Sequence, residues 1–335
     1  MKRILVILLY ACAVNTVQAF DLSMESYDKQ QLQTVNAAKN STDPIALYAA
    51  ANVLWYDSDF QENVEQGTLY MEQAANAGFL QAIEAMGEFY YEDSLVDADN
   101  KKAIQWFEKS TVKNSAHGYY SLGTIYYEGG AGVDVDYKKA FDYFIKSAEL
   151  GNDSAMYDLG FQYKLGEGVK QNNKKAFYWF KKSADLGDAR SAYQVGYAYQ
   201  FSKGVEQNCA EAIAIYQKTF DEDEYTRSAV ALADIYYDNR VQCAVKRSDY
   251  KKSFSFYKSA AYNGNTYSKY QLGYAYRNGH GVYSDFVQSL AWYSLADEDG
   301  YQEAANAIRE VKTNMSSEQI AKAGELKVEL AEEVY

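Results

Sequence analysis

Apolar and polar positions near the middle of the chain follow the pattern of two short helices separated by a turn. Ala155, Leu159 and Tyr163 recur at four-residue steps, which places them on one face of a first helix. A Gly-Glu-Gly segment at residues 166–168 then interrupts the helical pattern. A second apolar face follows at steps of three and four residues, formed by Ala176, Trp179, Phe180, Ser183 and Ala184. The pattern predicts a helical hairpin that ends at Gly187, as a left-handed C-cap would.

The same hairpin pattern recurs along most of the chain. A Leu-Gly pair, or a close equivalent, lies beside the apolar stripe of six first helices, and its second residues are Gly87, Gly123, Gly160, Gly196, Ala233 and Gly273. The intervals between these residues are 36, 37, 36, 37 and 40. Glycine at this place lets the next helix approach closely, and small and aromatic columns alternate on the second helices. A fixed period in this range predicts an all-α solenoid of antiparallel helix pairs.

The two ends of this array have patterns of their own. Asp43 before Pro44, the only proline, matches an N-cap followed by the first helical position. A Ser-Ser-Glu-Gln run at residues 316–319 matches a capping box that opens a final helix. We therefore expect an N-terminal capping segment over residues 20–42, about seven helix-pair repeats over 43–300, and C-terminal capping helices over 301–335.

Residues 1–19 have the pattern of a cleavable signal peptide. Lys2 and Arg3 precede an apolar stretch too short to span a bilayer, and small residues then predict cleavage that leaves Phe20 as the mature terminus. Acylation at Cys12 is an alternative, which the bulky residue two positions earlier disfavours. We therefore expect a periplasmic or secreted protein with no membrane insertion after removal of the signal.

The balance of charge narrows the classes of partner. The chain carries 46 acidic and 33 basic residues, a formal net charge of −13 at pH 7. Nucleic-acid backbones and anionic membranes bind clustered Lys and Arg, so this balance argues against both. The extended surface of a repeat array favours a protein or peptide partner.

Two cysteines remain after removal of the signal, Cys209 and Cys243. Both fall in loops between the first and second helices of adjacent repeats, on the same edge of the stack. An even pair in an oxidising compartment favours a structural disulfide, with two free thiols as the alternative. A redox-catalytic role lacks the Cys-x-x-Cys spacing.

Several repeats carry a fixed set of residues at fixed spacing. One copy is Ala155, Leu159-Gly160, Tyr163, Gly166-Glu167-Gly168-Val169, Lys175-Ala176 and Trp179-Phe180, and another is Leu272-Gly273, Tyr276, Gly279-His280-Gly281-Val282 and Trp292-Tyr293. Over roughly residues 43–325 the chain resembles the Sel1-like repeat family, a relative of the tetratricopeptide repeats. The resemblance implies a right-handed α/α superhelix that acts as an adaptor, scaffold or receptor. It implies no conserved catalytic residues.

A row of large side chains lies opposite the buried stripe of the first helices. On a helix of about 3.6 residues per turn, the positions three before, one after and four after the reference glycine face away from that stripe. We predict that aromatic residues at these positions contact a partner: Tyr120, Tyr157, Phe161, Tyr193, Tyr197, Tyr270 and Tyr274. Tyrosine combines a broad contact area with a hydroxyl group, which suits peptide recognition. In superhelices of this type the first helices line the concave side; packing against a neighbouring helix is the alternative.

Two patterns suggest chemistry that the rest of the sequence does not support. Ser110 and Lys113 match the Ser-x-x-Lys of penicillin-recognising enzymes, to which some cysteine-rich relatives are linked. Ser110, however, shares a small packing column with Ser147, and no Lys-Thr-Gly or Ser-Asp-Asn follows. His117 and His280, the only histidines, have no paired cysteines at ligand spacing, and a Gly-x-Gly turn predicts a surface position for His280. We therefore predict no catalytic residue, metal or cofactor.

The leading interpretation is an exported, non-enzymatic protein–protein interaction scaffold that binds a protein or peptide on its concave face. One alternative is a penicillin-interacting or other cell-envelope hydrolase, which a labelled-penicillin assay with Ser110→Ala would test. Another is a secreted factor that contacts host proteins, which localisation would separate from a periplasmic scaffold.

Overall fold

A computed structural model describes residues 27, 29–56, 61–91, 97–237, 243 and 248–334, and the predicted signal peptide lies outside them. The described residues form seventeen helices and no β-strand beyond an isolated bridge between Gly130 and Val133. The helices α1 to α17 are Lys29–Ala38, Pro44–Tyr56, Gln61–Asn76, Leu80–Tyr91, Asn100–Thr111, Ala116–Glu128, Tyr137–Glu149, Asp153–Leu165, Asn173–Asp185, Ala189–Phe201, Cys209–Asp223, Thr226–Tyr237, Tyr250–Tyr262, Thr266–Asn278, Phe286–Glu298, Ala304–Lys312 and Ser317–Val334.

These helices belong to two compact units, one ending at Leu150 and one beginning at Gly151. In the first unit α2 packs on α3, α4 on α5 and α6 on α7, with α1 against α2. In the second, α8 packs on α9, α10 on α11, α12 on α13 and α14 on α15, and both α16 and α17 contact α15. Within each unit the second helix of one pair packs on the first helix of the next. Because the connections are short, the paired helices are antiparallel, and each unit is a stack of helical hairpins.

Six of the hairpins are closed at their turns by the same hydrogen bond. Between α8 and α9, the backbone N–H of Asn172 donates to the carbonyl oxygen of Tyr163 at 2.8 Å. The Asn172 side chain accepts from the backbone N–H of Lys175 at 3.1 Å and so caps α9, while the Lys175 ammonium lies 5.1 Å from the centre of the Tyr163 ring. The same backbone bond recurs at Asp99–Tyr90, Asp136–Tyr126, Asn208–Tyr199, Asp249–Tyr236 and Asp285–Tyr276.

The glycine of the Leu-Gly pair lies where an aromatic ring of the second helix contacts the first helix. A Cβ atom on Gly160 would lie 2.4 Å from the nearest atom of the Phe180 ring, which is 3% exposed. The other pairs of glycine and buried ring are Gly87 with Phe107, Gly123 with Phe144, Gly196 with Tyr216 and Gly273 with Tyr293. The close approach of the two helices predicted at this position is confirmed. A ring of the second helix lies against the backbone of the first helix at the glycine.

The helix starts predicted at the two ends of the array are also confirmed. Helix α2 begins at Pro44, and the backbone N–H of Ile45 donates to the Asp43 carboxylate at 3.2 Å. At the start of α17 the N–H of Gln319 donates to the Ser316 hydroxyl at 3.2 Å, and the N–H of Ser316 donates to the Gln319 side chain at 2.9 Å. None of the helices among the described residues has both the length and the apolar composition needed to cross a bilayer.

Candidate functional site

The predicted contact residues of α8 pack on the second helix of their own hairpin. Tyr157 and Phe161 are half-buried, and the centres of their rings are 4.8 Å apart. Both rings contact Phe180 of α9, at centroid distances of 5.9 and 5.2 Å. The buried ring that excludes a side chain at Gly160 therefore also supports the two aromatic side chains beside it.

Helix α10 repeats this arrangement. The half-buried Tyr193 ring lies 5.6 Å from Tyr216 of α11 and 5.8 Å from Tyr225, which precedes α12. Burial raises the pKa of Tyr193, so its hydroxyl keeps its proton at neutral pH. Tyr197 is also half-buried and lies 4.5 Å from Phe201, one turn further along the helix.

The predicted residues of α14 have aromatic neighbours from three different elements. Tyr270 lies 5.2 Å from Tyr293 of α15 and 4.8 Å from Tyr301, which follows α15. Tyr274 lies 6.3 Å from Tyr237, the last residue of α12. Both tyrosines are half-buried. In this hairpin the rings therefore lie among packed side chains as well as at the surface.

Tyr120 of α6 is the corresponding residue of the first unit. It is half-buried, and its ring lies 5.8 Å from Phe144 of α7. All seven predicted residues thus pack on at least one neighbouring ring and keep part of their surface accessible. The rings therefore pack on neighbouring helices, which was the alternative to partner contact, and they are also partly exposed. Partner contact by these rings stays a prediction.

The corresponding position of α12 holds a carboxylate. Asp234 accepts hydrogen bonds from the hydroxyls of Tyr257, at 2.5 Å, and Tyr267, at 3.3 Å. Burial raises the pKa of Asp234, and the two hydroxyl donors oppose that rise. Burial, followed by the charge of Asp234, raises the pKa of Tyr267 to about 12. A hydrogen-bonded polar cluster therefore interrupts the aromatic row of the second unit.

Two cations lie beside these aromatic rings, and the sequence did not predict their contacts with the rings. The Lys164 ammonium lies 5.1 Å from the ring centre of Phe161 and 5.2 Å from that of Tyr197. The Arg190 guanidinium lies 4.4 Å from the centre of the Tyr157 ring. Lys164 is four residues after the reference glycine, so its position in the repeat already indicated that it lies in the same row as the aromatic residues. Arg190 comes from the next repeat, and no repeat column marks it.

The surface position predicted for His280 is only partly right, because its ring is half-buried against aromatic neighbours. Its ring stacks on Tyr250 at 4.3 Å with an interplanar angle of 7°, and its Nδ1 lies 3.1 Å from the hydroxyl oxygen of Tyr237. Burial lowers the pKa of His280. The physical reason is that its turn packs on the start of α13 in the preceding repeat: a Cβ on Gly281 would lie 2.1 Å from the Tyr250 carbonyl oxygen.

Cys209 and Cys243 form a disulfide, with their Cα atoms 5.0 Å apart. Cys209 is the first residue of α11, and Cys243 lies between α12 and α13. The bond closes a loop with a sequence separation of 34 residues. It therefore links adjacent hairpins of the second unit covalently.

The Ser-x-x-Lys pattern does not present a nucleophile. Ser110 is fully buried, and its hydroxyl donates to the carbonyl oxygen of Phe107 at 2.7 Å. A Cβ on Gly118, in the next helix, would lie 1.8 Å from that hydroxyl oxygen, so the position is a tight helix contact. Within the described residues, no three His, Cys, Asp or Glu side chains are placed to hold a metal ion.

The hairpins coincide with matches to a known repeat. The model of the Sel1 repeat matches residues 44–79, 80–111, 116–152, 153–188, 189–223, 226–265 and 266–301, one helical hairpin to each match. The chain belongs to the Sel1 repeat family. Sel1 repeat proteins are generally protein-interaction scaffolds and are typically non-enzymatic.

Solved structures of Sel1 repeat proteins are similar to this chain. A Sel1 repeat protein from Oxalobacter formigenes is 26% identical, with 74% of this chain and 98% of that chain covered and a TM-score of 0.63. A protective antigen present in uropathogenic Escherichia coli strains is 20% identical, with 87% and 84% covered and a TM-score of 0.47. The immunity protein Pa5087 from Pseudomonas aeruginosa is 21% identical, with 65% and 80% covered and a TM-score of 0.39. Comparison with curated proteins finds no match.

Proposed function

We propose that this Sel1 repeat protein is an exported, non-enzymatic scaffold that binds a segment of a protein partner along the first helices of its repeats. The observation that carries the proposal is the row of half-buried aromatic rings on α8, α10 and α14. Each ring packs on an aromatic neighbour and keeps part of its surface accessible.

The packing of these rings favours binding in two ways. A ring already fixed by its neighbours loses little conformational entropy when a partner covers it, so more of the contact energy appears as affinity. Tyrosine also carries a hydroxyl that hydrogen-bonds to peptide groups, and Tyr157, Tyr193 and Tyr197 offer three such hydroxyls on adjacent first helices. This combination suits an extended peptide segment better than a small apolar ligand.

Export is supported by two separate features. The first nineteen residues have the composition of a secretory signal, and the disulfide between Cys209 and Cys243 suits an oxidising compartment. Expression of the full chain in its native host, followed by fractionation, tests this part. Mature protein in the periplasm or the medium is the expected result, and full-length protein retained in the cytoplasm contradicts it.

Site-specific photocrosslinking tests the binding surface. A photoreactive benzoylphenylalanine at position 197, in place of Tyr197, should crosslink the partner in living cells. The matched control is the same substitution at Tyr178, an exposed tyrosine on the second helix α9, which is 50% exposed. We expect a specific adduct from position 197 and none from position 178. Adducts from position 178 alone, or equal adducts from both, would contradict the assignment of the first helices.

A further inference from the structure

A cavity of about 210 Å³ lies beside the aromatic row of the second unit. Phe180 and Tyr197 contribute apolar walls, and Lys164, Gln194 and Lys203 contribute polar groups. The cavity therefore combines an aromatic surface with two ammonium groups, a composition that suits a ligand with both an apolar and an anionic part.

Two lysines from successive repeats line this cavity, and a third cation, from the following repeat, acts on one of them through its charge. Lys164 is half-buried in α8, and its ammonium donates to the side-chain oxygen of Gln194 at 3.1 Å. Desolvation lowers the pKa of Lys164, and the positive charges of Arg227 and Lys203 lower it further. Lys203 follows α10 and Arg227 lies in the first turn of α12, and both side chains are exposed.

Among the described residues these cations have no carboxylate partner, although the chain has a net charge of −13. Within the described ranges, no Asp or Glu lies at ion-pair distance from Lys164, Lys203 or Arg227. Arg277 of the same unit, by contrast, pairs with Glu310 at 2.7 Å. A partly desolvated ammonium beside two further positive charges is electrostatically unfavourable, and a carboxylate in the cavity would remove that penalty.

We propose that Lys164 and Lys203 form a carboxylate subsite of the partner-binding surface, specific for an acidic peptide segment. The carboxylate binds at the Lys164 ammonium, and a neighbouring apolar side chain of the peptide packs on Phe161 and Tyr197. This inference rests on the proposed function and adds the chemical class of the bound segment. Its source is either an Asp or Glu side chain or the C-terminal carboxylate of a chain.

Three matched dipeptides test the proposal and separate the two sources. Acetyl-Phe-Glu-amide carries a side-chain carboxylate, acetyl-Phe-Gln carries a terminal carboxylate, and acetyl-Phe-Gln-amide carries none. Binding to the full mature chain is measured by titration in NMR spectra, using the amide signals of Lys164 and Gln194. We expect at least one of the acids to bind about tenfold tighter than the neutral amide, the value of one charge-assisted hydrogen bond.

Variants show whether the cations carry this preference. Lys164→Met should remove the preference for the acid, and the exposed Lys203→Met or Arg227→Met should reduce it without affecting folding. Lys182→Met is the matched control, because Lys182 also lies over rings, 5.0 Å from the centre of Tyr178 and 5.4 Å from that of Trp179, but on a second helix. The control should leave the preference unchanged.

Equal binding of all three dipeptides, no binding of any, or an equal effect of the Lys182 control would overturn the carboxylate subsite. If the subsite fails while the photocrosslink from position 197 still captures a partner, the proposed function stands and only its acidic specificity is wrong. Loss of both results refutes the binding surface itself.

Discussion

Gly160→Ala adds one methyl group at the contact between α8 and the ring of Phe180. The new Cβ would lie 2.4, 2.5 and 2.8 Å from three ring atoms. Nonbonded carbon atoms in contact are about 3.5–4.0 Å apart, so ring and helix must separate by about 1 Å. Phe180 is 3% exposed and Leu159 fully buried, so the separation disturbs side chains that are already packed, although the ring also borders the cavity.

Two opposing effects set the size of the change. Overpacking of a buried contact costs about 1–3 kcal/mol. Alanine in place of glycine inside a helix contributes about 1 kcal/mol in the stabilising direction. Because the required displacement is large, the cost lies in the upper part of its range, and we expect a net loss of about 1–2 kcal/mol. This corresponds to a fall of about 2–8 °C in the melting midpoint of the second unit.

Thermal unfolding followed by circular dichroism measures this change. The matched control is Gly324→Ala in α17, where a new Cβ would meet no atom within 4 Å. That substitution should raise stability by up to about 1 kcal/mol, because only the helix propensity changes. In the Gly160→Ala background, Phe180→Leu should recover part of the loss. A Gly160→Ala variant as stable as the wild type, or more stable, would refute the ring-to-backbone account of the Leu-Gly pair.

Three further predictions follow from single contacts. Lys269 is fully buried and pairs with Asp299 at 2.9 Å. Lys269→Met should cost about 3–5 kcal/mol in urea unfolding, because the Asp299 carboxylate keeps the Thr266 hydroxyl but loses its ammonium partner. A loss below about 1 kcal/mol would contradict this expectation. Replacing Cys209 and Cys243 by Ser should cost about 3–4 kcal/mol under non-reducing conditions, and in reducing buffer wild type and variant should melt alike. A hydrogen bond to the Glu88 carboxylate raises the pKa of His117 above its ordinary value of 6.5. The contact therefore contributes its full stabilisation below pH 6.5, and that contribution is lost as the pH rises through the pKa of the folded state. An NMR titration midpoint at or below 6.5 would contradict this expectation.

Sequence alone was sufficient for features that repeat. Gly160 and its equivalents recur with a fixed period, so their packing role was visible as a column of small residues. The capping box at Ser316 and Gln319 was equally visible, because it depends on residues three apart. The glycine contact was predictable from repetition, and the capping box was predictable from local spacing.

Features that depend on one particular repeat contacting the next were not visible. His280 matches the middle position of a turn, and only the packing of that turn on Tyr250 covers part of its ring. Lys164, Lys203 and Arg227 occupy different positions within their repeats, so no column relates them. The proposed carboxylate subsite depends on the stacking of the repeats, which places successive first helices side by side.

Hydroxyl-radical footprinting of the wild-type chain, free and in complex with the partner that photocrosslinking identifies, reports the accessibility of single side chains and so shows where the partner binds. Binding should lower the oxidation of Phe161 and Tyr197 on the first helices and leave the oxidation of Tyr178 on α9 unchanged. Protection of Tyr178, with Phe161 and Tyr197 oxidised as in the free protein, would place the partner on the second helices and contradict the account.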